Sequence, residues 1–161
     1  MVFRVYVENK ALRIVNRYDV EGISQELFDQ TVPTVFSEPQ VDNVAYDLPD
    51  FAGAKVFATE FLPGQFDQRA DSAAECIQLI SQGERPTVRS AKLYALEGDL
   101  TDADVDTIKH YVINPVEARE ASLETKETLK TQVPVPGKVE TIAGFNEMDA
   151  EAGQKFIDER G

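Results

Sequence analysis

Hydrophobic and polar residues alternate at the start of the chain, where Phe3, Val5 and Val7 occupy every second position. A period of two is typical of a β-strand with one buried face. A second β-rich run begins near Leu12, and only Glu8–Ala11 separate it from the first. Four residues can close a hairpin, so these two strands are expected to be antiparallel neighbours.

A helix is expected next, over Gln25–Thr31, with Ser24 as its N-cap. Pro33 is expected to end this helix, because proline disfavours helical backbone at the preceding residue. Val35 and Phe36 then indicate another extended segment.

The chain between residues 55 and 111 shows the same kinds of pattern. Apolar residues three and four apart predict an amphipathic helix between Asp67 and Gln82, ended by Gly83. Thr101 and Asp104 have the spacing of a capping box, which predicts a helix running to about Tyr111. Strands are predicted on either side of the first of these helices, at Lys55–Phe61 and Val88–Leu96.

These two stretches resemble one unit used twice. Val20–Gly22 and Leu96–Gly98 have similar sequences, and each precedes a helix start, at Ser24 and Thr101 respectively. The sequence therefore predicts an α+β domain over residues 1–122 with two ferredoxin-like halves, about 1–50 and 55–122, built from antiparallel sheets and packed helices.

Each half of the predicted repeat should run strand, helix, strand, helix, strand. The first half departs from this order, because the residues between its first two strands are too few for a helix. Either the helix is absent from this protein, or residues of the natural chain are missing from the sequence. The sequence itself leaves both explanations open.

The character of the chain changes after residue 122. Residues 123–138 are polar with two prolines, Pro134 and Pro136, and predict an extended linker. Residues 139–161 contain one more predicted helix, near Ala150–Glu159. We expect this last segment to be the start of a helical domain that continues beyond it.

Composition narrows the classes of function. The chain of 161 residues has a formal net charge of −13, which disfavours binding to nucleic acid or to an anionic membrane. Its start lacks the pattern of a secretory signal, and its single cysteine, Cys76, allows no internal disulfide. A cytoplasmic protein is therefore expected.

The sequence predicts no catalytic or metal-binding residue. Cys76 lies among apolar residues of a predicted helix, which favours a small buried side chain, and His110 lies near the end of a helix, which favours a surface or capping role. There is no phosphate-binding glycine motif and no zinc pattern. No cofactor is expected in this segment.

One stretch is a candidate for binding, because a loop there leads directly into a helix start. Backbone N–H groups at such a start attract anions, and the guanidinium of Arg69 suits a phosphate or carboxylate. The alternative is a plain helix entry, capped by Asp67, Asp71 or Ser72, with Arg69 in a local ion pair. The candidate residues are Gly64, Gln65, Asp67, Gln68, Arg69, Asp71 and Ser72.

Four segments resemble the N-terminal domain of the phosphoribosylformylglycinamidine synthase family, in its large single-chain bacterial form. They are Asn16–Ser24, Pro33–Asp42, Leu62–Leu79 and Tyr111–Ser122, of which Leu62–Leu79 is the most specific. The resemblance implies a PurS-like domain of two similar halves, followed by the start of the helical linker domain of the family. It also implies a helix between the first two strands, which this chain does not have room for.

The resemblance implies a part in purine biosynthesis. The full family enzyme is an ATP- and magnesium-dependent ligase and glutamine amidotransferase, whose reactive sites lie in synthetase and glutaminase domains downstream of this segment. Those domains are the implied partners, and the implied role here is structural and non-catalytic. In the family the loop matching residues 64–72 faces the synthetase domain, so we expect it to dock there or to close over the ribonucleotide. The alternative is a stand-alone ferredoxin-like module that binds a small ligand or a protein.

Overall fold

The structure is a computed structural model that describes residues 1–9, 15–131, 137 and 144–160. The chain divides into two compact units, Met1–Thr131 and Gln132–Gly161. The first unit contains strands β1 (Val2–Asn9), β2 (Val15–Glu21), β3 (Asp42–Ala45), β4 (Lys55–Phe61), β5 (Thr87–Leu96) and β6 (Ala118–Ala121), and helices α1 (Gln25–Thr31), α2 (Gln68–Ser81) and α3 (Asp102–Val112).

The six strands form a single sheet in the order β3-β1-β2-β5-β4-β6, and every pairing is antiparallel. The predicted α+β class is confirmed, and β1 and β2 are antiparallel neighbours as expected. The two halves share this one sheet, because β2 pairs with β5 along the middle. Joining the halves edge to edge leaves only the short strands β3 and β6 at the outer edges, which limits the number of unpaired backbone groups.

The strand order is symmetric about the middle of the sheet if β1, β2 and β3 of the first half are matched with β4, β5 and β6 of the second. Tyr6 in β1 lies opposite Arg17 and Ala45, and Ala58 in β4 lies opposite Leu93 and Ala121. The spacing from Arg17 to Leu93 along the chain equals that from Ala45 to Ala121. The same spacing relates Val20 to Leu96, the residues that begin the repeated sequence. The halves are therefore related by a pseudo-twofold axis, which passes between the paired residues Asn16 and Lys92.

One face of the sheet is covered by helices and forms what we call the helix-side core. Phe28 is 1% exposed and stacks on Phe3, with 5.0 Å between ring centroids. Ile77 of α2 is fully buried in the same cluster. The alternating pattern of β1 correctly identifies this face, since Phe3, Val5 and Val7 all point to it.

The opposite face, the far-side core, is also buried. Tyr6, Ala58 and Leu93 belong to this cluster, together with Phe51 from the loop before β4. Leu123, after β6, packs against this cluster. Leu129, further along the same segment, is also buried, at 5% exposed. Residues up to Thr131 therefore belong to the first compact unit, although an extended linker is predicted from residue 123.

Helix α1 has the predicted bounds, and the Oγ atom of Ser24 accepts a hydrogen bond from the backbone N–H of Leu27. The α-helix ends at Thr31, just before Pro33, as predicted, but the extended segment predicted at Val35 and Phe36 is wrong. A π-helical turn spans Val32–Phe36, with Pro33 in its first turn, where proline's missing N–H is not required. Val32 and Phe36 are both buried in the helix-side core, so burial favours a helical turn where the local pattern favours an extended one.

The other predicted elements lie close to their expected bounds. Strand β4 is the predicted strand, and α3 has the predicted capping box of Thr101 and Asp104. Helix α2 ends one residue earlier than expected, because Gln82 rather than Gly83 adopts the left-handed conformation.

The second unit is described by itself. A 3₁₀ turn over Phe145–Glu147 precedes helix α4 (Ala150–Arg160), close to the predicted helix. Asp149 accepts a hydrogen bond from the backbone N–H of Ala152, and Phe145 contacts Phe156 edge to face at 5.9 Å. Across both units, none of the helices in the described parts of the chain has the length and apolar character needed to cross a membrane.

Candidate functional site

The start of α2 is held to the sheet by Asp67, one of the candidate binding residues. Its carboxylate accepts hydrogen bonds from the backbone N–H of Ala70 and from both the backbone N–H and the hydroxyl of Ser90, at 2.9–3.0 Å. Asp67 is only 8% exposed. The carboxylate therefore caps the helix and ties it to β5, and it occupies the position at which an anion would meet the Ala70 N–H.

Replacing Asp67 by alanine is expected to lower the free energy of unfolding by about 1–3 kcal/mol, because an N-cap is lost and the buried Ser90 N–H loses its acceptor. Urea denaturation followed by circular dichroism measures the change. Asp71→Ala is the matched control, because Asp71 forms only a half-exposed ion pair with Arg85. Equal effects of the two substitutions would contradict this structural role.

The loop before α2 has a defined conformation. Gly64 has a φ of +92°, a conformation that glycine adopts without strain. The side-chain amide of Gln65 donates to the carbonyl of Val116 at 3.3 Å, which links this loop to the segment before β6. Phe66 is 70% exposed between these fixed points. The loop thus presents an aromatic side chain to solvent that the fold does not use.

Arg69 lies between two open clefts. The large cleft, about 470 Å³, is lined by residues of β2, β4, β5, the end of α3 and the loop before α2, among them Asn16, Thr59, Phe61, Phe66, Gln68, Arg69, Lys92, Tyr94, Val112, Asn114 and Glu117. The small cleft, about 410 Å³, is lined by Tyr18, Val35, Gln68, Arg69, Ser72, Ala73 and Cys76. Arg69 donates to the hydroxyl of Tyr18 at 3.3 Å. The acceptor of this hydrogen bond is an uncharged hydroxyl, and no ion pair of Arg69 occurs among the described residues, so the local ion pair of the alternative is not seen there.

Of the candidate residues, Gln68, Arg69 and Ser72 thus lie at the clefts. Asp67 and Asp71 instead make contacts within the fold, with Ser90 and Arg85 respectively. The expectation that Cys76 is buried is wrong: its side chain is exposed and lines the small cleft. The buried face of α2 consists of Ala70, Ala73, Ala74 and Ile77, and Cys76 lies beside this face. His110 is exposed in the last turn of α3.

Sequence reasoning missed a group of charged residues on the far side of the sheet, which we call the charge network. Asp19, 1% exposed, is paired with Arg4 and Arg17. Arg17 in turn lies 3.8 Å from Glu60, measured from Nη2 to Oε2. Glu60 also binds the two remaining members, Arg119 at 2.8 Å and Lys126 at 2.6 Å.

The charge network holds the segment after β6 against the sheet. Arg4 and Arg17 donate to the backbone carbonyls of Leu123 and Ser122, at 3.0 and 2.7 Å respectively. The Nε atom of Arg17 lies 3.2 Å from Asp19 Oδ2 without hydrogen-bond geometry, and it has no hydrogen-bond partner among the described residues. Local pattern gives no signal for this network, because charged residues on alternate strand positions normally indicate a face exposed to solvent.

Burial alone would raise the pKa of Glu60, but the hydrogen bonds from Lys126 and Arg119 outweigh it, and the pKa lies below its ordinary value of 4.5. A carboxylate with a lowered pKa stabilises the folded state above its unfolded pKa. That stabilisation is lost as the pH falls through the folded-state pKa.

We therefore expect Glu60→Gln to be less stable than the wild type near pH 6, and the two proteins to converge as the pH falls below the ordinary pKa of 4.5 and through the lowered folded-state pKa of Glu60. Urea midpoints measured across this range give the difference. Glu120→Gln serves as control, because Glu120 forms a half-exposed pair with Lys109. A difference between Glu60→Gln and the wild type that does not change with pH would contradict the role given to Glu60.

The side chains at the large cleft are of kinds that bind ligands. Arg69 and Lys92 provide positive charge at the large cleft, Glu60 and Glu117 provide negative charge, and Phe66 and Tyr94 provide aromatic faces. No group of three or more potential metal ligands occurs within residues 1–9, 15–131 and 144–160.

The chain was compared with known proteins. No protein-family model matches it, and neither a curated protein nor a solved structure was found to be similar.

Proposed function

We propose that this chain is the N-terminal part of a phosphoribosylformylglycinamidine synthase and acts as its non-catalytic assembly domain. In this proposal the domain packs on the synthetase domain of the same polypeptide, while ATP, magnesium and glutamine act in the synthetase and glutaminase domains. The protein would work in the cytoplasm, where purine biosynthesis takes place.

The observation that supports this proposal best is the placement of the most specific stretch of resemblance, Leu62–Leu79. This stretch forms the turn that follows β4, the exposed loop and most of α2. Asp67 anchors it to β5, yet Phe66 and Arg69 are exposed. A large aromatic side chain on a firmly held loop is a common feature of protein interfaces, because little conformational entropy is lost on docking.

The pseudo-twofold fold supports the same proposal. The resemblance implies two similar α+β halves, and the strand order and register relate the halves in this way. The register does not depend on the resemblance, since it follows from backbone pairing alone.

The proposal is tested by adding the chain to a synthase of this family that lacks its own N-terminal domain. The chain alone is expected to show no turnover. The mixture is expected to form a one-to-one complex in analytical ultracentrifugation and to regain amidine formation from formylglycinamide ribonucleotide, glutamine and ATP.

Within that complex, the variant with both Phe66→Ala and Arg69→Ala is expected to bind at least about tenfold more weakly, as expected for loss of a central interface contact. Leu79→Ala is the matched control, because Leu79 is equally exposed, at 72%, but lies at the far end of α2. Absence of any complex, with wild-type chain that is folded, would overturn the proposal.

A second candidate function is a stand-alone module that binds a small anionic ligand, for which Arg69, Lys92 and Tyr94 of the large cleft are the contacts available. Isothermal titration of the isolated chain with nucleoside phosphates and dicarboxylates distinguishes the two. Binding of such a ligand together with failure to bind the synthetase domain would favour this second function.

A further inference from the structure

The two halves differ in one element on the helix side of the sheet. In the second half, α2 connects β4 to β5, but only residues 10–14 separate β1 from β2 in the first half. The pseudo-twofold axis therefore relates α2 to a place on the sheet for which the five residues between β1 and β2 are too few to supply a helix of the length of α2. This place can be located from the residues that α2 covers.

Val7, Tyr18 and Phe36 belong to the core that α2 completes, and they are 4%, 7% and 5% exposed. The strand register relates Val7 to Thr59 and Tyr18 to Tyr94. Counted back from Pro39 and Pro115, Phe36 corresponds to Val112. All three counterparts, Thr59, Tyr94 and Val112, line the large cleft and are only partly buried.

Helix α3 is also less buried than its counterpart in the first half. Its counterpart α1 buries Phe28 and Thr31, whereas α3 buries no residue although it is amphipathic. Val105, Ile108 and Val112 are each partly exposed. The large cleft is thus the pseudosymmetric equivalent of the position of α2, with one side of α3 left incompletely covered.

We propose that the large cleft binds an amphipathic α-helix supplied by a partner protein. Helix α2 indicates the chemistry required, since it approaches the sheet through Ala70, Ala73 and Ala74 followed by Ile77. The partner helix has small side chains at this spacing on its buried face. It also places a carboxylate near Lys92, because covering that ammonium group without a counter-charge is unfavourable. This inference is argued from the pseudo-twofold fold and not from the resemblance, although Phe66 and Arg69 of the proposed docking surface line the same cleft.

The probe for this proposal is a synthetic peptide with the sequence of residues 67–82, which contains both the small-residue face and carboxylates. Added to the ¹⁵N-labelled full chain, it is expected to shift the amide resonances of Lys92, Tyr94 and Val112. A peptide carrying Ala73→Glu and Ile77→Glu, which break the apolar face, is the control and should produce no shifts. Shifts limited to residues around α2 itself would mean exchange with α2 and would overturn the proposal.

Two variants of the chain test the cleft residues. Tyr94→Ala and Lys92→Glu are each expected to weaken peptide binding at least tenfold, and Lys92→Glu should do so without affecting the fold, because Lys92 is exposed. Lys130→Glu, an exposed lysine outside the cleft, is the charge-matched control. Unchanged affinity in Lys92→Glu and Tyr94→Ala would overturn the proposal, as would ultracentrifugation showing a dimer of the chain that Lys92→Glu dissociates.

A third variant tests the cleft without a peptide. Residues 10–14 are replaced by the sequence of residues 62–86, so that β1 and β2 are joined as β4 and β5 are. Amide exchange in α3 is expected to slow at least tenfold, because the inserted helix covers it. Unchanged exchange in α3 of this variant, when folded, would show that the cleft does not accept a helix.

Discussion

Replacing Asp19 by asparagine is expected to lower the free energy of unfolding by about 3–5 kcal/mol, because two buried guanidinium groups lose their shared counter-ion. Arg4 and Arg17 are 8% and 1% exposed, so water cannot replace the carboxylate. Asparagine keeps one carbonyl oxygen as an acceptor but carries no charge. Glu60, 3.8 Å from Arg17, is then the nearest remaining anion in the charge network.

Urea denaturation at neutral pH, followed by circular dichroism, measures this effect. Glu120→Gln is the control, because the half-exposed pair of Glu120 with Lys109 is worth less than about 1 kcal/mol. A loss below about 1 kcal/mol for Asp19→Asn would show that the charge network contributes little to stability. The network would then have to be explained by its hydrogen bonds to the segment 122–123 alone.

Replacing Phe28 by alanine is expected to cost about 3–5 kcal/mol, the usual range for removing a buried aromatic ring. Phe28 is 1% exposed, stacks on Phe3 at 5.0 Å and lies 6.3 Å from Phe36, between ring centroids. These contacts join α1 and the following π-helical turn to β1. Removal of the ring leaves a cavity where the three elements meet.

Equilibrium unfolding again gives the magnitude, and Phe66→Ala is the matched control. Phe66 has the same side chain but is 70% exposed, so its loss is expected to change stability by less than about 0.5 kcal/mol. Phe28→Leu should recover much of the loss, because leucine fills part of the cavity. Similar losses for Phe28→Ala and Phe66→Ala would contradict the packing described for the helix-side core.

The charge network and the loop before α2 have different roles. The network lies on the far side of the sheet, where Arg4 and Arg17 hold the backbone of residues 122 and 123. The loop lies at the clefts on the helix side and leaves Phe66 and Arg69 exposed. Substitutions in the network should therefore alter stability, whereas substitutions of Phe66 and Arg69 should alter binding. This separation allows the proposed function to be tested without unfolding the protein.

Several elements could be predicted from the sequence because their signals are local. Ser24 and Thr101 cap α1 and α3 as expected, since a side-chain oxygen needs only the next few backbone N–H groups. Strand β4 and the buried face of β1 follow from alternation within a few residues. The repeat could also be found, because it requires only a comparison of one part of the chain with another.

The candidate site was predicted only in part. The loop before α2 was identified from its position at a helix start, but whether Asp67 faces a ligand or the sheet depends on Ser90, a residue distant in sequence. Tyr18 as the partner of Arg69, and the exposure of Cys76, likewise depend on how α2 is rotated against β5 and β2. Helical periodicity alone does not determine that rotation to within one residue.

The sequence by itself determined the order of the main strands and helices, the ends of the capped helices and the presence of two similar halves. Only the tertiary structure decided that both faces of the sheet are covered, which buries the charged residues Arg4, Arg17 and Asp19. It also decided that Val32–Phe36 is helical and that β2 pairs with β5. The physical reason is that burial and strand pairing depend on residues brought together from distant parts of the chain, whereas caps and alternation depend on near neighbours.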